Sequence, residues 1–165
     1  MPDLFVLRQF LPAVTGTRPR DDGWQVCELD PAADIADSVS LLVDLAAATH
    51  APALLASVLD GGHAAVEGFS GASGYWRALL PGGSGAGPLP AAETARHLVE
   101  WAADAHRTVA AEPITELLSA PEPRRADGAF EELLSLLGLP GTADTTSGAL
   151  DGRPGCVTIR AWTLG

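Results

Sequence analysis

Three short apolar runs, at residues 53–60, 63–70 and 74–80, follow one another with only the glycine-rich links Asp60-Gly61-Gly62 and Gly71-Ala-Ser-Gly74 between them. Links this short and this rich in glycine are hairpin turns, so the centre of the chain reads as an antiparallel meander. If Phe69 pairs with Tyr75, the register sets Glu67 directly opposite Arg77. An exposed cross-strand ion pair of that kind contributes well under about 1 kcal/mol.

The flanking segments supply the rest of the fold. Residues 4–11 are apolar and β-compatible, and a polar turn over residues 15–23 leads into residues 24–29, which gives two strands. Asp30-Pro31 offers an N-cap with proline at the first helical position. Ile35, Val39, Leu42, Val43 and Ala46 then recur at helical spacing, Asp37, Ser40 and Asp44 fall opposite them, and His50 ahead of Pro52 closes the helix. A long helix is expected over residues 91–111, with Ala95, Leu98, Ala102, Ala105 and Val109 facing inward. A short helix over 112–119 and another over 127–137, stopped by Gly138 and Pro140, follow it. The alternating, β-branched residues 156–164 read as a last strand that returns to the sheet.

The resulting order is ββ-α-βββ-α-α-α-β. It describes an α+β fold, a mostly antiparallel sheet of about five to six strands with helices packed on one face. We expect one domain over residues 1–165, with flexible connectors at 81–90 and 141–155. Leu, Ile, Val and Phe supply 40 of the 165 residues. That is enough for a core, being above the roughly one fifth below which charged chains stay disordered.

Composition removes several chemistries. The chain has no Lys and no Asn, a bias that looks like a high-GC genome, and so lacks the Schiff-base, P-loop and kinase lysines. Its formal net charge is −11. Such a field repels phosphate backbones, and the ten arginines form only two close pairs, Arg18/Arg20 and Arg124/Arg125, so nucleic acid is not an expected partner. No apolar run is long enough for a membrane span, and Asp3 and Arg8 stand in the wrong order for a secretory leader. The expectation is a cytoplasmic protein. Cys27 and Cys156 form no metal or disulfide framework and read as small buried hydrophobes.

Few constellations suggest chemistry. The glycine stretch 82–87 lacks the Lys-Ser/Thr of a phosphate cradle, and neither Gly68-Phe-Ser-Gly nor Gly71-Ala-Ser-Gly completes a nucleophile elbow. No catalytic residue, metal ligand or cofactor is assigned. Glu93, His97, Glu100 and Asp104 share one stripe of a helix, bordered by Trp101, which suggests an acidic protein-binding face with an aromatic anchor. His63, Glu67 and Arg77 form the alternative, a small-molecule or catalytic site on the meander. The leading expectation is a small acidic binding module, monomer or homodimer, with a basic protein as its partner. It would be either an inhibitor or immunity-type protein or a secretion-chaperone-type protein.

Overall fold

A computed structural model describes residues 14–19, 24–29, 35, 37–58, 63–80, 89–120, 126–139 and 157–162. The elements are β1 (Val14–Pro19), β2 (Gln25–Leu29), α1 (Ser38–Thr49), β3 (Ala53–Val58), β4 (Ala64–Ser70), β5 (Gly74–Leu80), α2 (Ala91–Asp104), α3 (Ala111–Ser119), α4 (Ala126–Leu136) and β6 (Val157–Trp162). Helices and an antiparallel sheet are both present, so the chain is α+β. The expected strand at residues 4–11 and most of the connectors at 81–90 and 141–155 lie outside the described residues.

The meander forms in the expected register, with Phe69 opposite Tyr75 and Glu67 opposite Arg77. Elsewhere the sheet departs from expectation. Its order is β1-β2-β6-β3-β4-β5, and β6 runs parallel to both its neighbours. Three of its five pairings are antiparallel, as expected, and the two parallel ones are those that β6 makes. A strand also forms where a turn was expected: Val14–Pro19 pairs with β2, although its sequence, Val-Thr-Gly-Thr-Arg-Pro, reads as a polar turn. Such a strand is tolerated at an edge, where one side needs no ladder partner.

The parallel pairing also explains why the helices do not share one face. Because β2 and β3 are both parallel to β6, the connection through α1 is a crossover that moves two places across the sheet. From β5 the chain crosses back to β6 through α2, α3 and α4, in the opposite direction. Crossovers share one hand, so two that travel in opposite directions cover opposite faces. Successive strand residues confirm the division. Leu54, Ala56, Ala64, Val66, Trp76, Ala78 and Leu80 join the core under α2–α4. On the other face α1 lies over β3 and β4, with Leu41, Leu42 and Leu45 buried beneath it and its first residue bonded to Glu67.

The helix ends show local chemistry deciding boundaries. The helix over Ser38–Thr49 is capped by the Asp37 side chain, which accepts from the Ser40 N–H at 3.0 Å, while the expected start at Asp30-Pro31 lies outside the described residues. Its inner face is Leu41, Leu42, Leu45 and Thr49, and the expected core residues Val39 and Val43 point to solvent. The long helix expected over 91–111 stops at Asp104. His106 takes the left-handed conformation, φ 59°, while its N–H meets the Ala103 carbonyl at 2.9 Å and the Arg107 N–H meets that of Ala102 at 2.8 Å. This is a Schellman closure, and Gly138 with Leu139 ends α4 in the same way. Ala105 and Val109 still pack against the core from beyond the break.

Candidate functional site

On the α2–α4 side the core is organised by indoles. The Trp101 ring lies 5.3 Å from that of Trp24 and 6.3 Å from that of Trp76, edge-on to the latter. Its Nε1 donates to the Ala53 carbonyl at 3.0 Å, and the side chain is fully buried. The expected aromatic anchor of a surface is thus a core residue that fastens α2 to β3. A tryptophan one step around the helix from an acidic stripe points inward, because the polar face of α2 is narrower than the stripe implied.

The stripe itself divides in two. Glu93 is exposed and stands 4.0 Å from Arg96, a surface pair of small energetic weight. Glu100 is half-buried. His97 and Asp104 turn toward the β4–β5 hairpin: Asp104 Oδ2 accepts the Ala72 N–H at 2.7 Å, and His97 Nδ1 lies 3.2 Å from the Ser73 carbonyl. Ser70 and Ser73 complete that turn, with the Ser73 N–H and the Ser70 hydroxyl each bonded across it at 3.0 Å. Two of the five residues assigned to a binding face therefore clamp a turn, and a third, Trp101, lies in the core.

Seven carboxylates with described side chains nevertheless lie along the three helices of this layer: Glu93, Glu100 and Asp104 in α2, Glu112 and Glu116 in α3, Glu131 and Glu132 in α4. Arg96 is the only arginine in these three helices. On the opposite face α1 contains one charged residue, Asp44.

The α1 face holds the other candidate set. Glu67 Oε1 accepts from Ser38 Oγ at 2.9 Å and from the Tyr75 hydroxyl. Partial burial, then the hydrogen bond to Glu67 and its negative charge, push the Tyr75 phenol up to about 12, with Arg77 opposing. His63 lies one residue before β4, four residues from Glu67, which along extended chain is about 13 Å. The carboxylate is thus joined to Ser38 and Tyr75, not drawn into a triad with His63. Tyr75 was open to detection as the chain's one tyrosine, opposite Phe69 in the meander. Ser38 was not, since 29 residues separate it from Glu67 and only the packing of α1 brings the two together.

Among the described residues there is no group of three or more His, Cys, Asp or Glu side chains placed to hold a metal ion, and no helix long and apolar enough to cross a membrane. No family model, curated protein or solved structure matches the chain.

Proposed function

We propose that the chain is an acidic protein-binding module whose α2–α4 layer receives a basic partner protein. The observation that carries this reading is the uneven charge of the two helical layers, seven described carboxylates against one arginine within the helices α2–α4 and a single carboxylate within α1. A surface of one sign attracts an oppositely charged partner over a Debye length and orients its approach. Within the stripe first singled out, Glu93 and Glu100 are the residues available for that role, joined by Glu112 and Glu116 on the neighbouring helix. His97 and Asp104 hold the hairpin in place beneath them.

An inhibitor or immunity-type protein is the form of this module we favour, since a charged face gives a tight and salt-sensitive one-to-one complex. A secretion-chaperone-type protein would hold its client in an apolar groove, with weak salt dependence. The alternative, a small-molecule or catalytic site at His63, Glu67 and Arg77, has less support because Glu67 is already engaged by Ser38 and Tyr75.

The test is tagged co-purification at about 0.05 M and about 0.5 M salt, where exposed charge pairs are differently screened. The expected result is a stoichiometric basic protein, lost at the higher salt and lost also when Glu93 and Glu100 are both changed to Arg. A partner retained by that variant at low salt overturns the assignment.

A further inference from the structure

β2 and β3 run parallel and α1 connects them, yet they are not neighbours, since β6 lies between them. This is a split βαβ unit. By itself it leaves a gap of two strand spacings, about 9.5 Å, with a row of backbone N–H and C=O groups along each side. Both walls of that gap are tied to one side chain. Trp101 donates to the carbonyl of Ala53, the first residue of β3, at 3.0 Å, and its ring lies 5.3 Å from that of Trp24, the residue before β2. Outside the gap β3 pairs with β4 along its whole length, and β2 pairs with β1. The walls are thus held by contacts in which β6 has no part. β6 itself stands apart from β5, the strand before it in the chain, and follows only after residues 140–156. Closing so long a connection costs more entropy than closing the turns that join β3, β4 and β5.

We propose that the gap between β2 and β3 is a strand-acceptor site, filled in the resting chain by β6, and that its ligand is an extended peptide segment lying parallel to both walls in place of β6. Recognition is through the main chain, as in other cases of strand addition. Residues 25–29 of one wall and 54–58 of the other pair with β6. A strand added at a sheet edge gains one ladder, whereas a strand here gains two, so the site selects extended chain over helix. The pattern of β6 defines the ligand. Val157, Ile159 and Ala161 take one set of alternate positions, Thr158, Arg160 and Trp162 the other, and Arg160 stands level with Glu28 of β2 and Ala56 of β3. The ligand is an alternating, β-branched segment with a basic residue at the position level with Glu28. β6 is its built-in competitor, and a segment that pairs more weakly than β6 is shut out.

This inference stands apart from the reading of the acidic layer, and salt separates them. Ladder bonds inside a sheet are little screened, while exposed charge pairs are screened strongly. The full chain carrying Ile159→Pro provides the test, since proline in the middle of β6 removes an N–H from the ladder and a central strand does not accept it. A fluorescein-labelled peptide with the sequence of residues 156–165 is expected to bind this variant, folded by circular dichroism, with a Kd at least about tenfold below that for the wild type. Binding should be the same at about 0.05 M and about 0.5 M salt, and the peptide that itself carries Ile159→Pro should not bind. A peptide that binds neither chain, or both alike, overturns the inference, and so does binding that survives proline in the peptide or is lost at the higher salt. Should the variant fail to fold, hydrogen exchange of the wild type decides: amides of β6 that exchange at least about tenfold faster than those of β4 support its withdrawal from the gap, and equal protection overturns it.

Discussion

Trp101 Nε1 donates to the Ala53 carbonyl at 3.0 Å, so the middle of the core is pinned to the first residue of β3 by one hydrogen bond from α2. The ring also touches Trp24 and Trp76, and nothing of it reaches solvent. Trp101→Phe removes the donor and part of the ring, and we expect a loss of roughly 2–4 kcal/mol in urea unfolding. Were Trp101 a surface anchor, the same change would alter partner binding and leave the unfolding midpoint in place.

Glycine at position 68 is required by Trp76. A Cβ there would fall inside the indole's van der Waals envelope, against its six-membered ring and the adjoining Nε1. Gly68→Ala is therefore expected to destabilise by about 1–3 kcal/mol through overpacking. In a Trp76→Leu background the same alanine should cost much less. Additive losses in the double mutant would refute the contact.

The single tyrosine makes one ionisation readable on its own. Near-ultraviolet titration should place Tyr75 at about 12, and Glu67→Ala should bring it down toward 10. Since the folded phenol titrates above its ordinary value of 10.0, its contribution to stability is complete below pH 10 and is lost as pH rises through 12. A wild-type midpoint near 10 would exclude the hydrogen bond to Glu67.

At the start of α1 the sign is reversed. Hydrogen bonds from Ser40, backbone first and then side chain, hold Asp37 below its ordinary 3.8. Asp37→Ala should lower stability at neutral pH, with the full gap to wild type present above pH 3.8 and closing as the pH falls further. A gap that is constant through acid would show that the cap is not ionic.

Charge reversal should separate the acidic residues by role. Glu93→Arg and Glu100→Arg are expected to change stability by no more than about 0.5 kcal/mol, as exposed or partly exposed sites do. Asp104→Arg removes the acceptor of the Ala72 N–H, so amide exchange at residues 71–73 should quicken and the unfolding midpoint fall. Equal effects at all three positions would contradict the turn clamp.

Much of this chain is governed by neighbours in sequence, and those parts were legible. Gly-rich links force hairpins, so the meander register and the Glu67–Arg77 pairing followed from spacing alone. Helical period placed α3 and α4 within a residue or two, and Gly138 marked an end because glycine takes the left-handed cap conformation, here φ 76°, without strain. The break after Asp104 escaped because His106 fills that cap position in place of glycine. Hydrophobic period also misjudged α1. It counts apolar residues without knowing which faces will be covered, so Val39 and Val43 read as core while they lie outside.

Neighbours in the chain thus set the local units: the hairpins, the helices with their polar and apolar sides, and a net charge of −11. Tertiary structure alone decided that β6, last in the chain, enters the sheet between β2 and β3, that α1 sits on the face opposite α2–α4, and that Trp101 turns inward while His97 and Asp104 grip a hairpin. The physical reason is that alternation and helical period specify which side of an element is apolar, a local property. Which elements then cover that side depends on strand neighbours and the direction of each crossover, and these arise from contacts between residues far apart in the chain.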